Sequence, residues 1–377
     1  MAAIVAAETI LAVALGLWRL GHNSFWADEA YTWSTSARSW PSFVHVVIRH
    51  EGGGLLHSLF TFFWLKAGSS PTWLRLPSVF FAALTIPLVY RAASRLFGER
   101  VALVAGWLLA INATVLFYAQ EARTYALTVL LVAASFAFFI DQVKAPTRRS
   151  FVAWIVCSAL AVYALPLAGG AIVAEGVSLL LARPSELPVG RLVRGFASIV
   201  VLVIPMAAIQ IAQARGGSLN EFLEGHRTPG FVLKSFVALS GGGGKPLIAV
   251  YGVLGLSALV AVWAIARHQG RSIELWAAGV PFCWLLVPCV LVVLSSYVTP
   301  NFASRYFLMS VPGLAILAAL GLVRLTERSR ELLVVALVAV TGLASFGLYR
   351  YYFQYHSDDF RDAVAFMLDR RAPGDGV

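Results

Sequence analysis

His22-Asn23-Ser24-Phe25-Trp26-Ala27-Asp28-Glu29-Ala30-Tyr31 follows directly on an apolar run covering residues 2 to 20. Two adjacent carboxylates therefore stand where the chain leaves a bilayer, among aromatic residues of the kind found at membrane interfaces. Read alone, the pair is explained by a solvated, helix-capping Asp-Glu. The rest of the chain favours a sharper reading: a carboxylate facing a cleft at the membrane edge.

Composition sets the class. The 377 residues are 59% hydrophobic and only 13% charged, with a mean hydropathy of +0.78. Repeated long apolar runs at this level mean membrane spans in one polytopic domain. The net charge of +10 does not point to nucleic acid, because the basic residues form short clusters between apolar runs and no continuous stripe. They read as the positive bias of cytoplasmic loops. Cys157, Cys283 and Cys289 lie inside apolar runs without metal-ligand spacing and read as small core residues. The first run lacks a small-residue cleavage site and reads as a retained first helix.

Residues 21–76 form a long mixed first loop. Within it, residues 36–48 predict a surface helix. Residues 55–68 are apolar but too short to span and predict a re-entrant or interfacial helix. Ten further apolar segments follow, near residues 76–93, 101–117, 125–140, 151–165, 168–181, 195–214, 247–266, 273–294, 306–323 and 331–348. With the first, they give an all-α membrane protein of about eleven transmembrane helices. This parity places Arg95, Arg100, Lys144, Arg148, Arg149, Arg183, Arg191, Arg194 and the basic residues of 267–272 and 324–330 inside. The outer connections, 119–124, 166–169, 215–246 and 295–305, are poorer in Lys and Arg, as the orientation rule requires. The loop 215–246 carries Glu221, Glu224 and His226 and ends in Gly241-Gly242-Gly243-Gly244-Lys245. That run lacks phosphate-loop spacing and reads as a flexible hinge. Residues 1–350 thus form the membrane domain. Residues 351–377 read as the opening of an outer segment whose remainder is absent.

Three polar clusters share the outer side with Asp28 and Glu29: the stretch Gln120-Glu121-Ala122-Arg123, Arg305 and the loop 215–246; Arg75 stands at the outer end of the second span. One arginine alone is a snorkelling anchor. Three on one face, with acids, suggest an anion site, since the guanidinium fork suits phosphate. A carboxylate beside a phosphate site suggests one reaction. A sugar on a lipid phosphate carries a leaving group that departs without protonation. One base on the acceptor hydroxyl then suffices, unlike the two carboxylates of glycoside hydrolysis. A single displacement inverts the anomeric centre.

Four stretches carry a resemblance. Trp26-Ala27-Asp28-Glu29-Ala30, Leu74-Arg75-Leu76-Pro77-Ser78, Tyr118-Ala119-Gln120-Glu121-Ala122-Arg123-Thr124-Tyr125 and Ser304-Arg305-Tyr306-Phe307 with Pro312 occur in order along the chain. Together they resemble the GT-C superfamily of integral-membrane glycosyltransferases, in the branch of protein O-mannosyltransferases and bacterial aminoarabinose transferases. The resemblance implies the GT-C fold and an extracytoplasmic site in a bacterial inner membrane. It implies Asp28 as base, with Glu29 assisting. The expected donor is a polyprenyl-phosphate sugar, mannose or a pentose. The acceptor is a glycolipid, polysaccharide or protein. Arg75, Arg123 and Arg305 are the candidate phosphate binders. His57, Gln120, Glu121, Tyr125 and Tyr306 complete the candidate substrate contacts. Two departures stand out: Glu51-Gly52-Gly53-Gly54 replaces a Pro-Pro, and the C-terminal segment is short.

A transporter or flippase of lipid-linked sugars is the alternative, and a non-catalytic scaffold is a third reading. Transporters place charge near the midplane in repeated halves. Here Glu175 is the main internal charge and no repeat is visible. No His/Asp/Glu cluster has helical metal-ligand spacing. A divalent ion held by Asp28 and Glu29 oxygens is possible chemistry, ranked below a metal-free site.

Overall fold

The computed structural model describes residues 1–49, 54–215, 228–298, 302–355 and 360–370. Glu51, Gly52, Gly53, Glu221, Glu224 and His226 lie outside these residues, as does everything after residue 370. Among the described residues the regular elements are all helices. In chain order they are α1 (Ala2–Leu17), α2 (Ala27–Ser36), α3 (Trp40–Arg49), α4 (Leu55–Trp64), α5 (Pro71–Phe97) and α6 (Glu99–Ala110). Next come α7 (Ala113–Ala119), α8 (Tyr125–Lys144), α9 (Arg148–Ala164), α10 (Gly169–Ser178), α11 (Val189–Arg215) and α12 (Pro229–Ala238). The chain ends with α13 (Gly244–Gln269), α14 (Ile273–Val298), α15 (Val311–Leu325), α16 (Arg330–Tyr349) and α17 (Phe360–Asp369).

Seven of these segments are long and apolar enough to cross a membrane, and the bent pair α6–α7 makes an eighth. All eleven expected segments are helical; the other three are α1, α9 and α10, which are shorter. The chain is thus an integral membrane protein. Its outer helices show what water would not tolerate. Along α11 and α13, Val200, Val201, Ile204, Ile211, Leu256, Val260 and Trp263 are all more than half exposed. Apolar surface on that scale belongs against lipid. Inside, α5, α8 and α15 form the buried centre. Phe136 of α8 stacks on Trp284 of α14 at 4.0 Å. Gly321 of α15 lies against the backbone of Leu254, where a Cβ would come within 2.1 Å of the carbonyl oxygen, so two helices approach closely there.

The break between α6 and α7 bends the chain by 58°. Asn112 causes and uses it. Its Oδ1 accepts from the amides of Thr114 and Val115, capping α7. Its Nδ2 donates to Leu239 O, and Thr114 Oγ1 donates to Ala238 O. The end of α12 is thereby tied to the bend. The glycine run expected as a hinge is a packing seam: a Cβ on Gly347 of α16 would meet Gly241 O at 2.4 Å. Gly241, Gly242 and Gly244 take positive φ, which the tight turn needs.

In the first long loop, α3 and α4 match the two expected short helices. They pack through Phe43, Val47 and Phe62, with Trp40 edge-on to Phe62 at 5.2 Å. The helix α2 is additional, and it carries Asp28 and Glu29 in its first turn.

Candidate functional site

Glu29 is fully buried. Its Oε1 accepts from Arg75 Nε at 2.8 Å and from the Ala122 amide at 2.8 Å, and its Oε2 accepts from Arg75 Nη2 at 2.5 Å. The remaining N–H groups of Arg75 donate to Leu20 O, Asn23 O and Ser24 O. All five donors of this buried guanidinium are used. The pair therefore clamps the loop after α1, the start of α5 and the turn before α8. Arg75 was expected to bind phosphate; the structure makes it a strut instead, because no N–H remains for a ligand.

Gln120 is a strut as well. Its Nε2 donates to Gly16 O and Trp18 O, and its Oε1 accepts from Tyr351 OH at 2.5 Å. Both amide hydrogens are thereby used, and Gln120 keeps only a lone pair of Oε1 to offer at the cavity wall. Arg19, with φ 58°, closes the same corner by donating to Tyr352 O at 2.7 Å. A non-glycine residue in that region stores strain that its surroundings must hold.

Asp28 behaves differently from its neighbour. Its side chain is 28% exposed, and Oδ2 lies 3.2 Å from Arg305 Nη1 and 3.6 Å from Arg123 Nη2. Arg123 also donates through Nη1 to Asp28 O and, at 2.9 Å, to Thr32 Oγ1. Arg305 lies between two aromatic faces, 5.7 Å from the ring centroids of both Trp26 and Tyr125. Tyr125 is thus a shelf for the arginine, braced edge-on by Tyr118 at 5.4 Å. Tyr306 follows Arg305 in the turn Ser304–Ser310 and is half-buried. Asp28 Oδ2, Arg123 Nε, Arg305 Nε and Glu121 Oε2 are all buried without a hydrogen-bond partner.

A cavity of about 350 Å³ opens beside this cluster, lined in part by Trp26, Glu29, Tyr118, Glu121, Arg305 and Tyr351. Asp28 is not in its wall; Arg305 links the two. Glu121 is buried. Burial first, then the Glu29 charge, push its carboxyl up to about 8, against the pull of Arg305 and Arg123. His57 is buried in α4; burial and then the charge of Arg123 push its imidazole down to about 3, so it is neutral. Among the described residues no group of three His, Cys, Asp or Glu is placed to hold a metal ion. The pair Asp28 and Glu29 does not fit one: Glu29 is committed to Arg75 and an amide, and Asp28 faces two arginines.

ArnT from Cupriavidus metallidurans in the apo state matches with a TM-score of 0.64 at 17% identity, covering 94% of this chain and 66% of that one. The chain has the GT-C fold. ArnT bound to undecaprenyl phosphate gives 0.59 at 16% identity, over 89% and 63% of the two chains. AglB, the oligosaccharyltransferase of Archaeoglobus fulgidus, in complex with an inhibitory peptide and a dolichol-phosphate, gives 0.59 at 12% identity, over 99% and 58%. The chain thus spans less than two thirds of each of these GT-C proteins. No protein-family model and no curated protein sequence matches it.

Three site residues escaped the sequence reading. Tyr351 lines the cavity from a π-helical turn, Arg350–Gln354, that follows α16, and Tyr355 lines it from the extended residue that ends this turn. Thr32 holds Arg123. The aromatic run from Tyr349 to Tyr355 was a visible signal, but it lies about 230 residues from Gln120, and nothing local places it there. π-Helical turns do favour functional sites in general.

Proposed function

We propose that this protein is an inverting glycosyltransferase that moves a sugar from a polyprenyl-phosphate donor to an acceptor hydroxyl on the extracytoplasmic face. The observation that carries the reading is the Asp28 cluster. A partly exposed carboxylate stands against two arginines whose Nε groups lack partners, and one of them, Arg305, lines a cavity. Such a cluster is built to receive an anion. The likeness to ArnT bound to undecaprenyl phosphate and to AglB with a dolichol-phosphate supports a lipid-linked donor.

In this reading Arg305 exchanges partners. In the free protein it pairs with Asp28. When the donor phosphate enters, Arg305 turns to the phosphate and Asp28 is released to face the acceptor. Asp28 then takes the proton of the acceptor hydroxyl as the oxygen attacks the anomeric carbon. The bond from that carbon to the phosphate oxygen breaks, and its electron pair leaves with the phosphate. Arg123 keeps Asp28 oriented through its bonds to Asp28 O and Thr32. Glu29 and Arg75 hold the platform and touch neither reactant. Charge gathered at the helix ends, beside a cavity, suits a membrane-edge enzyme that meets its donor in the lipid.

The membrane of a bacterial cell, with the site facing outward, is the setting that the basic connections support. Mannose or a pentose, and a glycolipid, polysaccharide or protein acceptor, remain the expected partners. Sugar transfer from a panel of radiolabelled polyprenyl-phosphate sugars, with wild type and Asp28→Asn at matched expression, tests the reading. Transfer from one donor, lost in the variant, is expected. Equal transfer by both proteins removes Asp28 as base.

A further inference from the structure

The cavity wall holds two carboxyl groups with opposite circumstances. Glu29 accepts three hydrogen bonds and is neutralised by Arg75. Glu121 is also buried, yet its Oε2 has no partner. A buried polar atom without a partner costs stability unless a ligand uses it. The charges around it are those of Glu29 and Asp28 from α2, Arg123 from its own turn and Arg305 from the turn before α15. The phenols of Tyr118 from α7, Tyr125 from α8 and Tyr351 from the turn after α16 also feel the Glu121 charge.

Resting on the donor assignment above, we propose that Glu121 is a neutral carboxylic acid whose O–H donates a hydrogen bond to a non-bridging oxygen of the donor phosphate. Charge matching supports this. Arg75, Arg123 and Arg305 face Asp28, Glu29 and Glu121. With all three acids ionised the cluster is balanced and offers an incoming anion nothing. With Glu121 neutral it carries one net positive charge, which matches a phosphodiester carrying one negative charge. An ionised Glu121 would instead repel the phosphate and lack a proton to donate. As the sugar leaves, negative charge grows on the phosphate, and the same hydrogen bond strengthens. Burial and the neighbouring Glu29 hold the proton on Glu121 up to about pH 8. Glu121 thereby makes donor binding sensitive to alkaline pH.

The test uses the purified full chain in detergent, with undecaprenyl phosphate as probe and quenching of tryptophan fluorescence as readout, since Trp26 lines the cavity. The range from about pH 7 to about 9.5 is chosen because a phosphate monoester is then dianionic throughout. Wild type should lose about tenfold or more in affinity across this range, with the midpoint near 8. Glu121→Gln keeps an N–H donor and cannot ionise. It should bind like wild type at the low end and stay flat. Glu121→Ala should bind about tenfold more weakly at the low end and also stay flat. A thermal melt of each variant confirms folding. The same alkaline loss in Glu121→Gln, or weaker binding by Gln than by Ala, overturns the proposal. Wild-type binding with no pH dependence also overturns it while leaving the donor assignment intact. No binding by wild type at any pH sinks the donor assignment, and this proposal with it.

Discussion

Each end of the helix bundle holds a buried carboxylate facing arginine, and the two ends are built to different purposes. At one end, Asp141 of α8 is almost fully buried and pairs with Arg91 at 2.6 Å and Arg95 at 3.4 Å. Those arginines are 44% and 47% exposed, so water solvates the charge as well as the acid does. There Asp141 Oδ1 is the atom left without a hydrogen bond, whereas at the other end Glu29 and Arg75 are both enclosed and unpartnered atoms of five residues, Trp26, Asp28, Glu121, Arg123 and Arg305, gather around them. The first arrangement anchors a helix end. The second spends stability on an open cluster of polar groups, which proteins keep at functional sites.

The comparison is sharpest in Asp28→Asn. Transfer should fall about 10²- to 10⁴-fold, the range expected for loss of a general base, while the thermal unfolding midpoint stays close to wild type. Asp141→Asn should leave transfer unchanged in the same assay. If both variants lose activity alike, the two ends do not differ in function.

Arg75→Met comes next. It leaves Glu29 buried without its cation, and breaking such a pair costs about 3–5 kcal/mol. Thermal unfolding in detergent should show a large drop in midpoint. The double variant Glu29→Met with Arg75→Met should recover much of it, because no charge is then stranded. Failure of the double variant to recover would mean that the backbone bonds of Arg75 to Leu20, Asn23 and Ser24 carry the structure.

Arg305→Lys tests the exchange of partners. An ammonium lacks the planar fork and the aromatic stacking, so the donor KM should rise about tenfold or more with a smaller change in kcat. A fall in kcat alone would argue that Arg305 acts only through Asp28.

Smaller effects complete the series. Asp141→Asn should cost about 1 kcal/mol or less, since its arginines stay half in solvent. Glu121→Gln should gain stability over wild type as pH rises from 4.5 to 8. The sign follows from linkage. The folded carboxyl holds its proton up to about 8, while the unfolded one ionises near 4.5, so wild type loses stability through that window. A pH-independent difference between the two proteins would mean that Glu121 titrates alike in both states.

Much of the fold was legible before any coordinates, because apolar length and the placement of basic clusters are properties of short segments. Helix at the eleven expected apolar segments, seven or eight of them long enough to span, and the short helices α3 and α4 follow from them. The site was legible only as a set of neighbours. Asp28, Glu29, Arg123, Arg305, Glu121 and Tyr125 do converge. Which of them are spent on the fold was not readable, because that depends on partners far along the chain. Arg75 and Arg305 look alike in sequence, each an uncompensated arginine at the end of an apolar segment, Leu74-Arg75-Leu76 and Ser304-Arg305-Tyr306. One meets Glu29 and three backbone carbonyls; the other meets two ring faces and a half-exposed acid. Gln120 was likewise committed by Tyr351, and the glycine run by Gly347.

The sequence by itself determined that the chain is a helical membrane protein with carboxylates and arginines at the ends of its helices. Hydrophobic burial is additive along a segment, so local pattern suffices for that. Only the tertiary structure decided that adjacent residues part ways, with Glu29 locked to Arg75 and Asp28 left partly exposed against Arg123 and Arg305. Successive side chains on a helix point about 100° apart. What each one meets is set by residues that the fold, and not the chain order, brings beside it.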